Sequence, residues 1–143
     1  MSEKLPKLWV YWGWPSLVWC LGVAGMVGLW LGIAVWRNGP CTWMALLSVL
    51  DIALLLRFTG IGAGWFRFLA IFSGTVIILV FSQWLIAANA FGLAMGLFPV
   101  DAAQLVGSVL VWEFTHLRLS ASDLLWLSLS IFIMLWLGFS KRF

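Results

Sequence analysis

The chain has 143 residues and a formal net charge of +3; 64% of its residues are hydrophobic and only 9% are charged. A water-soluble domain carries roughly 25% charged residues, so this chain lacks the polar surface of a globule in water. Its eight basic residues are spread along the sequence rather than clustered, which argues against a nucleic-acid partner. The composition therefore predicts that the lipid bilayer surrounds the protein.

Backbone polar groups inside lipid need partners within the protein, which leaves helices or closed barrels. The apolar runs are continuous and do not alternate with polar residues, so helices are favoured. We predict an all-α membrane protein with four transmembrane helices in a bundle and a short interfacial helix on the outer side. The whole chain, residues 1–143, forms one polytopic membrane domain in this prediction.

The first predicted span covers residues 15–36, about one hydrocarbon thickness at 1.5 Å per residue. Within it Ala24, Gly28 and Gly32 recur every four residues. Small residues at this spacing let two helix backbones approach closely in lipid. The pattern fits either a neighbouring helix of the same chain or an interface with a partner subunit or second copy.

The second predicted span, residues 41–58, follows a tight turn at residues 37–40. Its apolar stretch ends at Leu56 and is short for a full crossing, so the span is expected to include Arg57 and Phe58 or to thin the bilayer locally.

Asp51 is the one charged residue that lies away from the ends of a predicted apolar span. An ionisable residue in a span is expensive and is a functional-site hypothesis by default. Asp51 is interpreted either as a structural carboxyl that fixes helix packing or as a proton- or cation-coupling group. Arg57 and Arg67, which bracket a glycine-rich hairpin at residues 59–64, are within reach if their side chains extend toward it. Small polar side chains are also expected at its level: Ser73, Thr75 and Cys20.

The third predicted span covers residues 66–95 and exceeds the bilayer thickness. Ala88, Gly92 and Gly96 form a second row of small residues every four positions. Asp101 is a plausible N-cap for the next helix, residues 101–116. The apolar part of that helix is too short to span, so it is expected to lie at the interface or to dip into the membrane.

The last predicted span covers residues 122–140 and begins at Ser122 and Asp123. An outer polar cluster precedes it or lies at its start: Glu113, His116, Arg118 and Asp123. Glu113 and His116 stand three residues apart, as in di-iron bundles, but such a site needs a second pair and more carboxylates. The chain has one His and five acidic residues, so we predict neither a metal site nor a cofactor.

Charge distribution predicts the orientation, because cytoplasmic loops carry an excess of Lys and Arg. With four spans, six basic residues share the side of the two termini: Lys4, Lys7, Arg57, Arg67, Lys141 and Arg142. Two basic residues lie on the other side: Arg37 and Arg118. Both termini are therefore predicted to be cytoplasmic, and this orientation suits a protein of a bacterial inner membrane.

Three functions are compatible with this reading. The first is a non-catalytic membrane subunit or assembly factor that packs helices in a larger complex or homo-oligomer. The second is a small proton- or cation-coupled transporter or channel centred on Asp51. The third is an intramembrane enzyme acting on lipid at the outer face, near Glu113 and His116. The near absence of catalytic groups and the two rows of small residues favour the first.

Overall fold

The computed structural model describes residues 12–140, which fold into six α-helices. In chain order these are α1 (Trp14–Arg37), α2 (Met44–Phe58), α3 (Trp65–Met95), α4 (Pro99–Leu105), α5 (Ser108–Arg118) and α6 (Ala121–Phe139). Three of them, α1, α3 and α6, are long and apolar enough to cross a membrane. The fold is thus all-α in its described part, and its apolar helices indicate an integral membrane protein.

Helix α3 is the centre of the bundle and contacts each of the other five helices. Helices α1 and α6 make no contact with each other in the described residues; both pack on the α2–α3 pair, from different sides. The core between these helices is built from large apolar side chains that are fully buried: Trp30, Met44, Ile52, Ile71 and Ile78.

The four long segments of the bundle alternate in direction between two ends. At the end that carries the 59–64 turn, which we call the hairpin end, the Gly64 N–H donates to the Gly138 carbonyl at 3.2 Å. At the opposite end, which we call the cap end, the Thr42 hydroxyl donates to Asp123 at 2.6 Å. These contacts join α3 to α6 and α2 to α6, so α2 runs the whole distance between the two ends.

The sequence predicted four helices able to cross a membrane, whereas three of the described helices are long enough. The second predicted span, 41–58, is the exception, because α2 has only 15 residues and is roughly 22 Å long at 1.5 Å per residue. Cys41 has a positive φ of 47°, and its carbonyl accepts from the Met44 N–H at 2.9 Å in a turn. The three residues before Met44 therefore stay outside the helix.

The single interfacial helix predicted at 101–116 is two helices, α4 and α5. Val106 and Gly107 between them are extended, with ψ of 103° and 163°. The helix also begins earlier than predicted, because Pro99 occupies its first turn, where a missing N–H costs nothing. Asp101 thus lies in the first turn of α4 and is not its N-cap.

Helix α3 extends past the end of α1 at the cap end. Gln83 and Ile86 lie beside Pro40, which follows α1, and about two further turns of α3 come after them. Helices α4 and α5 pack against this projecting part of α3. At the cap end, α4 and α5 are therefore folded back against the C-terminal turns of α3.

Candidate functional site

Ala24, Gly28 and Gly32, which we call the α1 outer row, face away from the bundle. All three are exposed, and a Cβ added at Gly28 or Gly32 would meet no atom within 4 Å. The opposite face of α1 supplies its buried residues: Val23, Met26, Trp30 and Ala34. No helix in the described part of the chain occupies the outer row, so its space is left for lipid or another protein.

Asp51 lies at the edge of the same surface. A Cβ added at Gly22 of α1 would be 3.7 Å from the Asp51 Oδ2 atom, so this carboxylate faces α1. Gly25, one turn further along α1, has nothing within 4 Å of an added Cβ. Gly22 itself is covered, because an added Cβ would collide with the Leu55 side chain of α2, so the open surface begins at Gly25.

The carboxylate of Asp51 has no hydrogen bond or ion pair with any residue between 12 and 140. The Ser73 hydroxyl donates to the Ala70 carbonyl at 3.3 Å, within its own helix. The Thr75 hydroxyl is buried without a hydrogen-bond partner among the described residues. The structure therefore shows no hydrogen bond from these two predicted neighbours to Asp51.

Arg57 and Arg67 both lie at the hairpin end. Arg57 is exposed in the last turn of α2, six residues after Asp51 and about 9 Å from it along the helix axis. Arg67 is 1% exposed and lies in the first turn of α3. Neither arginine pairs with Asp51 in the described structure, so the three predicted site residues do not form one cluster.

Ala88, Gly92 and Gly96, which we call the α3 inner row, are used inside the molecule. A Cβ added at Gly92 would be 3.1 Å from the Leu97 carbonyl oxygen and 3.2 Å from the Ala102 Cβ. Gly96 ends α3 with a φ of 68°, in the left-handed region that favours glycine. This row therefore lets α4 fold back against α3.

Asp123 joins α6 to α2 at the cap end. Its Oδ1 accepts from the Thr42 hydroxyl, and its Oδ2 accepts from the Ser120 backbone N–H at 2.8 Å. Ser120 is the N-cap of α6 and forms a capping box with Asp123. The helix therefore begins at Ala121, one residue before the predicted Ser122, and the Asp123 carboxylate fixes where α6 starts relative to α2.

The rest of the outer polar cluster lies on α5. The His116 ring stacks on Trp112 with centroids 6.5 Å apart. The Arg118 guanidinium lies over the Phe114 ring at 5.0 Å and donates to the Asn38 carbonyl at 3.3 Å. Glu113 and His116 are exposed. In the described residues no hydrogen bond joins His116 to Asp123 or to a serine, so the cluster holds no Ser-His-Asp arrangement.

The close contact of Gly22 with α2 was not predicted from the sequence. Gly22 lies outside the four-residue repeat of the outer row, and its importance depends on which face of α1 meets α2. In the sequence it stands out only as one more small residue close to the row.

Within residues 12–140 no group of three or more His, Cys, Asp or Glu side chains is placed to hold a metal ion. Comparison of the chain with models of known protein families, with curated proteins and with solved structures finds no match.

Proposed function

We propose that this protein is a non-catalytic membrane subunit or assembly factor, and that α1 packs against a helix of another membrane protein or of a second copy. The observation that carries the proposal is the open α1 outer row, whose glycines have no atom within 4 Å of an added Cβ. Helices in lipid associate through close packing and interhelical hydrogen bonds, because lipid tails are as apolar as leucine. An open glycine surface offers the close approach that this association requires.

The Asp51 carboxylate strengthens the proposal because it borders the same surface. A polar side chain at membrane depth is costly unless it pairs with another group. A partner helix that packs against α1 at Gly25, one turn from Gly22, approaches this carboxylate, and a hydroxyl, amide or basic side chain on that helix satisfies it. Packing and hydrogen bonding then act at one interface.

We further propose that α2 completes a fourth crossing, with both termini in the cytoplasm of a bacterium and the bundle in its inner membrane. The support is that α2 connects the two ends of the bundle, although it is short. Reporter fusions at residues 38 and 61 test the topology; opposite compartments are expected, and the same compartment for both contradicts a crossing by α2.

The test of the function is co-purification of the Gly28→Leu protein with its partners after gentle solubilisation. Leucine at this position blocks the close approach of a second backbone, so partner proteins or a second copy are lost. Ser128→Leu is the matched control, because Ser128 is also exposed but lies on α6, away from the row. Equal recovery of partners by wild type and both variants contradicts the proposal.

A proton- or cation-coupled transporter is the second candidate, and the observation that favours it is the unpaired Asp51 carboxylate. Proton flux into liposomes carrying the wild-type or Asp51→Asn protein tests it. A transporter loses its flux in the variant, whereas equal flux in the two preparations removes this candidate.

A further inference from the structure

A cleft of about 610 Å³ lies at the hairpin end, between α1, the turn after α2, and α3. Its volume falls within the roughly 300–1,000 Å³ typical of small-molecule sites. Its walls are mostly apolar or aromatic, with Leu56 and Ile61 on the side of the turn and Leu69 on the side of α3. The cleft was not predicted from the sequence, because its walls come from three separate segments.

Two tryptophans that line the cleft, Trp12 and Trp19, contact α3 at different levels along the bundle axis. At the inner end the Trp19 Nε1–H donates to the Ala70 carbonyl at 3.0 Å, and the indole lies over Gly74. At the outer end the Trp12 and Phe66 rings meet edge to face with centroids 5.4 Å apart. Trp12 and Trp19 are seven positions apart, which gives the cleft a length of about 10 Å.

The hydroxyl groups in the wall are already used by their own helices. Ser16 donates to the Trp12 carbonyl at 2.7 Å, Thr59 to the Leu56 carbonyl at 2.8 Å, and Ser73 to the Ala70 carbonyl. The Trp19 indole N–H is likewise taken by Ala70. The wall therefore presents little free hydrogen-bonding capacity to a polar solute and suits a hydrocarbon.

The cleft is open on the side between α1 and α3. Ser16 and Cys20 of α1 and Leu69 and Ser73 of α3 line it and are exposed. Both helices are apolar enough to cross a membrane, so the medium facing this opening is lipid. We propose that the cleft binds a segment of one hydrocarbon chain of a membrane lipid, which enters between α1 and α3 and lies between Trp12 and Trp19.

This inference is independent of the proposed function, because the cleft and the α1 outer row occupy different faces of α1. A protein that loses lipid binding but keeps its partners separates the two, as does one that loses its partners but keeps the lipid.

The test uses the full-length protein in vesicles of phosphatidylethanolamine and phosphatidylglycerol that contain phosphatidylglycerol with a photoactivatable diazirine in its acyl chain. After irradiation, adducts are mapped by peptide mass spectrometry. Adducts are expected to concentrate in residues 12–20 and 66–73. Ser16→Phe fills the cleft and lowers labelling there about tenfold, the factor that corresponds to about 1.4 kcal/mol of binding.

Ser128→Phe is the control, since Ser128 is also an exposed serine whose hydroxyl donates to the carbonyl four residues earlier. It lies on α6, outside the cleft, and leaves labelling of residues 12–20 unchanged. Ser73→Phe fills the cleft from α3 and decides the question if Ser16→Phe does not fold, as judged by circular dichroism and elution volume. Labelling spread evenly over α1, α3 and α6, or labelling that a folded cleft-filling variant does not reduce, shows only ordinary lipid contact and overturns the proposal.

Discussion

The α1 outer row and the α3 inner row have the same spacing and the same composition, yet their surroundings are opposite. Gly92 in the inner row has the Leu97 carbonyl and Ala102 within 3.2 Å of an added Cβ, whereas Gly28 in the outer row has nothing within 4 Å. The chain itself supplies the partner of the inner row, because Gly96 reverses α3 and Pro99 starts α4 at once. No described segment supplies a partner for the outer row.

A row of small residues therefore predicts close approach of another backbone but does not identify which one approaches. In the inner row the missing side chains are a requirement of the fold. In the outer row the fold does not require small residues, so these residues serve the contact of α1 with its surroundings. Substitutions that add bulk to each row therefore separate the stability of the molecule from its association.

Gly92→Leu is expected to have the largest effect on stability. The new side chain would collide with the backbone at Leu97 and with Ala102, and overpacking of this kind costs up to about 3 kcal/mol. Unfolding by sodium dodecyl sulfate from detergent micelles, followed by circular dichroism, measures the change. Wild-type stability of the Gly92→Leu protein would show that α4 does not pack on α3 through this row.

Asp51 on α2 and Asp123 on α6 differ in the same way as the two rows. Asp123 is fully partnered by Thr42 and Ser120, whereas Asp51 has no partner in residues 12–140. Asp123→Ala removes a capping box and an inter-helix hydrogen bond and is expected to cost about 2 kcal/mol. Asp51→Asn is the matched control, and the same unfolding titration should leave it near wild type. Equal losses for the two variants would contradict the contrast.

Gly96→Ala tests the backbone reversal that supplies the inner row with its partner. The φ of 68° at this position is left-handed and costs a residue with a Cβ about 1 kcal/mol. The same unfolding titration measures the loss, with Gly107→Ala as the control because Gly107 has a negative φ and open space around it. A loss at Gly107 as large as that at Gly96 would show that backbone conformation is not the cause.

Much of the fold follows from local sequence patterns. Continuous apolar runs predicted α1, α3 and α6 to within a residue or so at each end, because length and hydropathy decide these helices. Local patterns did not predict where α2 begins or that the interfacial helix is divided. The left-handed conformation of Cys41 shortens α2, and the extended pair Val106–Gly107 divides the predicted interfacial helix in two.

The candidate sites were harder to predict, because they depend on which face of a helix is covered. The spacing of Gly28 and Gly92 was visible in the sequence, but their exposure was not, since both rows have equivalent patterns. Asp51 was identified by its charge alone, whereas its neighbour Gly22 depends on the rotation of α1 against α2. The cleft between Trp12 and Trp19 depends on how α1 and α3 separate toward the hairpin end.

Gly28→Leu is expected to have the smallest effect on stability and the opposite sign to Gly92→Leu. The site has space for the side chain, and leucine is the better helix former by about 0.5 kcal/mol. The unfolding titration should therefore show a protein at least as stable as wild type, while the same preparation loses its partner or second copy on size-exclusion chromatography with light scattering.

Gly28→Ala sharpens this result, because a single methyl group hinders close backbone approach less than leucine does. A graded loss of association from glycine through alanine to leucine, with no loss of stability, is the behaviour of an interface between separate proteins. A loss of stability that follows the same series would place the row inside the fold, as the α3 inner row is. Unchanged association across the series would leave lipid as the only neighbour of the α1 outer row, and would make Asp51, rather than the glycines, the residue on this surface that needs a function.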